Sequence, residues 1–154
     1  MYFWIPKDIR ETLDLSDNEI TNPAIKLLKK LMSKNSAVLD RFKAIGIVAN
    51  ATELDSKLGN PQRGLLKSYN GQPILTRPQH RFYSGDGYFE VDVDAHEFNY
   101  LARKGLSGVT DHMCHMIVDF GFVVEGHSDD ELPETIIGCV RLSKLDLKDA
   151  PRMQ

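Results

Sequence analysis

Cysteine is scarce in this chain: Cys114 and Cys139 are the only two, they stand far apart, and they form no CxxC pair. That excludes a disulfide framework or a zinc ribbon and fits a reducing setting. Long apolar runs are also lacking. Nothing approaches the roughly 20 apolar residues of a membrane-spanning helix, and the start lacks the basic-then-apolar layout of a signal peptide. The expected place is therefore the cytoplasm. Neither end carries a lipidation motif, since Tyr2 follows Met1 and the chain finishes "PRMQ", so any membrane attachment is expected to be peripheral. Positive charge is not in excess either: 19 Lys and Arg against 22 Asp and Glu give a formal charge of -3. No global field draws in nucleic acid or an acidic surface. The one basic cluster, Lys26, Lys29, Lys30 and Lys34, has no interleaved aromatics for base stacking and reads as a solvated helix face.

Catalytic signatures are missing too. There is no GxxxxGK[ST] phosphate loop, no GxSxG elbow and no HExxH helix, and Ser107 and Ser143 have no motif around them. No positive case for an enzyme arises, and no cofactor is implied.

What is present is an ordinary globular composition, 42% apolar and 27% charged over 154 residues, which predicts one domain over 1–154. "MYFWI" reads as a buried strand beginning at the first residue. Chains usually fray before their first element, so this start predicts that preceding sequence is absent. After a polar loop, Asn22 as N-cap and Pro23 at the first helical position open an amphipathic helix over 23–34. "RFKAIGIVAN" reads as a strand, "ELDSKLGNPQRG" as a loop, and "YNGQP" as a turn. "HRFY", "SGDG" and "YFEVDVD" give a hairpin over 80–94, with Phe89, Val91 and Val93 on one face and Tyr88, Glu90, Asp92 and Asp94 on the other. Asp94 and Glu97 form a capping-box signature for a second helix over 95–116. Its apolar stripe is Phe98, Ala102, Leu106, Val109, Met113 and Met116, with Gly105 and Gly108 allowing a close neighbour. "IVDFGFVVEG" reads as a strand, "SDDELPETIIG" as a turn or short helix, and "IIGCVRLSKLDL" as a last strand. Two principal helices with a hairpin between them predict an α+β fold with a mainly antiparallel sheet.

"SGVTDHMCHMIVDFGF" holds the most tempting chemistry. Were the helix to run straight through Asp119, His112, His115 and Asp119 would share an arc of about 60°. Two imidazoles and a carboxylate with an open position are a zinc hydrolase layout. Against this, Cys114 projects about 160° from His112, no general-base Glu stands between the histidines, and "MIVDFGFVVEG" looks like strand, which would turn Asp119 away. The plainer reading puts both histidines at the edge of the helix's buried stripe, and no metal is assigned. Glu90, Asp92 and Asp94 are a second carboxylate group, better explained as polar strand positions and an N-cap. "HSDDELPE" reads as a solvent-facing acidic loop.

From about Tyr83 onward the chain resembles the C-terminal domain of the plant enhanced disease resistance 2 family. The resemblance is carried by "YFEVDVD", by Ala102 and Arg103, by "IVDFGFVVEG" from Ile117 and by "ELPETIIGCVRLSKLDL" from Glu131; it extends more weakly to "LDRFKAIGIVAN" and "MYFWIP". It implies that a front segment of the family domain is absent here. It also implies that His112 and His115 depart from the family pattern, in which hydroxyl or apolar residues are common at those positions, while Asp92, Asp94, Asp119 and Arg141 match. In plants the domain often accompanies pleckstrin-homology and lipid-transfer domains, which implies a non-catalytic module that binds lipid or sits on a membrane. A protein-interaction module is the alternative, and a metal hydrolase using His112, His115 and Asp119 comes third. No site residues are assigned, because capping and ion pairing explain the shared charged residues equally well.

Overall fold

The computed structural model describes residues 1–75, 80–98, 100–110 and 112–146, with the side chains of Ile74, Leu75, Ala95, Leu101, Ala102, Gly105, Leu106 and Val109 left aside. The elements in chain order are helix α1 (Lys7–Leu13), α2 (Pro23–Met32), the single turn α3 (Ser36–Leu39), strand β1 (Phe42–Val48), the single turn α4 (Ala51–Leu54), α5 (Asn60–Tyr69) and β2 (Pro73–Leu75). They continue with β3 (His80–Gly85), β4 (Tyr88–Val93), α6 (Tyr100–Thr110), β5 (Ile117–Val124) and β6 (Gly138–Ser143). One sheet has the order β2-β1-β5-β6, and a second consists of β3 and β4. Bonds from Ala49 N–H to the Ile117 carbonyl and from Glu125 N–H to the Arg41 carbonyl bracket β1 and β5 as an antiparallel pair. The fold is α+β and mainly antiparallel, as the sequence predicts.

Contacts divide the chain into two compact units. The first comprises Met1–Ala44, Ile74–Val93 and Gly121–Gly138. Its core is Leu27 and Leu31 from α2, Val38 from α3, Phe42 from β1 and Val124 from β5, with Phe82, Phe89 and Val91 of the hairpin packed against them. Helix α2 starts where Asn22 accepts a hydrogen bond from Ala24 N–H at 2.9 Å, ahead of Pro23. The hairpin closes through Asp86 and Gly87, with Gly85 opposite Tyr88. Gly87 has φ +77°, a conformation that costs a side chain and suits glycine.

The second unit comprises Ile45–Pro73, Asp94–Phe120 and Cys139–Gln154. Leu54, Leu58 and Met116 form its core, flanked by Val48, Leu66 and Val118. Two asparagines there substitute for missing strand partners. Asn70 accepts from Val48 N–H at 2.6 Å and donates to the Val48 carbonyl at 3.3 Å, while Asn50 donates to the His115 carbonyl and accepts from Ile117 N–H, both at 2.9 Å. Each closes off backbone groups that burial would otherwise leave unsatisfied.

Three expectations are corrected. Residues 1–5 form no strand: Phe3 packs edge-on against Phe122 at 5.9 Å, but Tyr2 and Trp4 stand out in solvent, because no partner strand runs beside them. The presumed loop over 53–64 holds the last residues of α4 and the start of α5, because Pro61 sits in the first helical turn, where its lack of an N–H does no harm. The helix expected over 95–116 is not continuous. A 3₁₀ turn at Ala95–Glu97 precedes α6, and another at Met113–His115 follows it. The Asn50 clamp fixes the chain as extended from Met116 onward, and the Met116 side chain turns into the core. Of the expected stripe, the packing of Ala102, Leu106, Val109 and Gly105 lies outside the described residues, as do Asn99 and Asp111.

Candidate functional site

Helices α5 and α6, both in the second unit, face each other across a cleft of about 800 Å³. Each helix contributes one face at the spacing that puts residues above one another. From α5 come Pro61 and Gln62, then Leu65, then Tyr69; from α6 come Tyr100, then Arg103 and Lys104, then Ser107 and Gly108. Carbon lines most of the cleft, and the two cations share the α6 side with a tyrosine. The Lys104 ammonium lies 5.9 Å from the centre of the Tyr100 ring, within range of a cation–π attraction. Gln62 is wedged between glycines: its amide nitrogen lies 3.5 Å from where a Cβ on Gly108 would be, and its Oε1 lies 2.7 Å from one on Gly59. That Oε1 is buried and has no hydrogen-bond partner among the described residues. The neighbour of Gly108 is thus Gln62, at a distance that would leave room for a Cβ.

The cleft has the dimensions of a small-molecule site. Sequence reasoning missed it because α5 was read partly as loop. Two signals could have found it: Gly59-Asn60-Pro61 as a helix start, and Leu65 and Tyr69 one turn apart on a common face.

The residues singled out for metal chemistry fall otherwise. His112 and His115 bracket the 3₁₀ turn and Asp119 lies in β5, so the three share no helix face. Among the described residues no group of three His, Cys, Asp or Glu side chains could hold a metal ion. Asp119 instead receives both arms of Arg141 from β6, at 2.6 and 2.7 Å. That fork holds the Asp119 carboxyl below its ordinary value, and the carboxylate raises Arg141 above its own. Asp94 accepts from His96 N–H at 2.9 Å and so opens the 3₁₀ turn Ala95–Glu97, not the helix expected to follow it, since α6 begins only at Tyr100. Glu90 and Asp92 are exposed on the outer face of the hairpin, with Asp92 opposite Arg81. Ser107 lines the cleft, whereas Ser143 ends β6.

Among the described residues charge burial concentrates at one place in the first unit, where the sequence predicts a solvent-facing loop. Glu131, in the 3₁₀ turn Asp129–Glu131, accepts from Arg41 at 2.6 Å, from Lys30 at 3.2 Å and from His127 N–H at 3.0 Å. Hydrogen bonds from Arg41 first, and from the His127 amide next, pull its carboxyl from 4.5 down to about 2. Arg41 also donates to the carbonyls of Ala37 and Glu125. Every arm of the pair is engaged, which makes it a structural tie with no free valence for chemistry. Lys30 is thereby drawn out of the supposed solvated face, and Lys29 likewise bonds the Leu15 carbonyl and pairs with Asp17.

The family model described as "Protein ENHANCED DISEASE RESISTANCE 2, C-terminal" matches residues 1–146. A curated relative, "Protein ENHANCED DISEASE RESISTANCE 2-like" of Arabidopsis thaliana, is 33% identical over 69 residues, 45% of this chain and 10% of the relative. The match thus spans about a tenth of that protein's length. No solved structure matches the chain.

Proposed function

The chain belongs to the ENHANCED DISEASE RESISTANCE 2 C-terminal family, and from that premise we propose that it is a non-catalytic module that binds lipid-like amphiphiles at a cytoplasmic membrane surface. The observation that carries this reading is the cleft between α5 and α6, where Pro61, Leu65, Tyr69 and Tyr100 supply carbon surface alongside the cations Arg103 and Lys104. An amphiphile needs that combination, an apolar trough for its chain and polar groups for its head. Among the described residues no helix is long and apolar enough to cross a membrane, so contact with a bilayer would be peripheral and the cleft would supply the affinity.

A second reading, a protein-interaction module, draws on Tyr2 and Trp4. Both are exposed in the first unit, and the Arg10 guanidinium lies 5.1 Å from the centre of the Trp4 ring. Aromatic residues beside arginine recur in interface centres.

Native mass spectrometry separates the two. The protein incubated with phospholipid vesicles and then isolated is expected to carry an adduct of lipid mass that a Leu65→Glu variant loses. A bare mass in both proteins, together with a crosslinked protein partner, would replace the lipid reading with the second one.

A further inference from the structure

Arg41, Lys43 and Arg141 each have a carboxylate partner, Glu131, Glu125 and Asp119 respectively. Arg103 and Lys104 have none among the described residues, although both are exposed at the margin of the α5–α6 cleft and stand side by side on α6. Among the described residues no acidic side chain lines that cleft, and the Ser107 hydroxyl one turn further along has no partner. In a chain of formal charge -3, two adjacent uncompensated cations beside an apolar trough form a local positive site against an acidic background. Arginine offers a planar fork that matches phosphate oxygens two at a time, lysine a mobile point charge, and serine a neutral donor. The Tyr100 ring beside the Lys104 ammonium, at 5.9 Å, supplies an amphipathic surface of the kind that settles at headgroup level.

Resting on the reading of this cleft as a lipid site, we propose that Arg103, Lys104 and Ser107 hold the net-negative headgroup of an anionic phospholipid, whose charge no choline cation offsets, so that the module selects acidic over neutral membranes. The selection comes from these positions and not from the net charge of the chain, which opposes it. Basic residues near an acidic leaflet contribute about 1 kcal/mol each, so removing both is expected to weaken binding about thirtyfold.

The test is co-sedimentation of the full chain with phosphatidylcholine vesicles and with the same vesicles doped with phosphatidylserine. Wild type is compared with a double variant Arg103→Ala, Lys104→Ala and with a control of equal charge change outside the cleft, Lys26→Ala, Lys34→Ala. Expected are tighter binding of wild type to the doped vesicles, a loss of about thirtyfold in the cleft variant, and less than about threefold in the control. Equal losses in the two variants would overturn the proposal by reducing it to general electrostatics, and no loss in the cleft variant would overturn it outright. Equal binding of wild type to both vesicles would overturn the headgroup selection while leaving the lipid reading intact. Binding to neither would remove both. Because Arg103 and Lys104 are exposed, their truncation is not expected to unfold the chain, and circular dichroism of each variant verifies this.

Discussion

Glu131 shows how a single carboxylate ties the first unit together. Its folded pKa of about 2 lies below the ordinary 4.5, so the unfolded chain binds the proton first as the solution is acidified. The stabilisation is complete above about pH 4.5 and fades as pH falls from there toward 2. Its ceiling is roughly 3 kcal/mol, from about 1.4 kcal/mol per pKa unit. Urea midpoints measured at pH 7 and pH 3 are expected to differ markedly in wild type and much less in Glu131→Gln, whose pH 7 midpoint is already lowered. An unchanged pH dependence in the variant would assign the acid sensitivity to other carboxylates. This tie was not legible in "HSDDELPE". Three adjacent carboxylates look alike in sequence, and what turns Glu131 inward is Arg41, 90 residues earlier.

At the scale of elements, α2 and the hairpin are legible because both partners of each signal lie close in sequence, whereas α5 starts at Asn60 among residues that equally suit a loop. Asn22 and Pro23 begin α2 because the cap and the first amide are two residues apart, and the hairpin follows from alternation plus a glycine turn. Where an element ends is less legible when a distant residue sets it. The break after α6 is imposed by Asn50, whose bonds reach 65 and 67 residues along the chain. The two kinds of asparagine should therefore differ in energy. Asn22→Ala is expected to cost about 1 kcal/mol, the usual value for an exposed cap. Asn50→Ala is expected to cost about 2 kcal/mol or more, since it leaves the His115 carbonyl and the Ile117 amide without partners. Chemical denaturation of the two variants checks this, and equal costs would mean that water replaces the Asn50 bonds.

For the molecule as a whole, the proposed cleft makes stability depend on ligand. A lipid that binds only the folded state stabilises it by about 2.7 kcal/mol at a hundred times its dissociation constant. In a chain of this size that corresponds to a rise in melting temperature of roughly 5–10 °C. A thermal scan with and without a short-chain anionic phospholipid below its micellar concentration measures it directly. A matching rise in the Leu65→Glu variant would place the binding outside the cleft.

The α+β class, the hairpin, helix α2, strands β5 and β6 and the family are all legible in the amino-acid string, because alternation, helix caps and motif strings are local properties. That string also held the argument that "MIVDFGFVVEG" is strand, as β5 is, which places Asp119 on a different element from the two histidines. Only the tertiary structure decided that "MYFWI" stays unpaired, that Glu131 is buried with Arg41, and that α5 and α6 leave a cleft between them. These outcomes depend on which distant segments meet, and burial and charge pairing between remote residues leave no periodic trace along the chain.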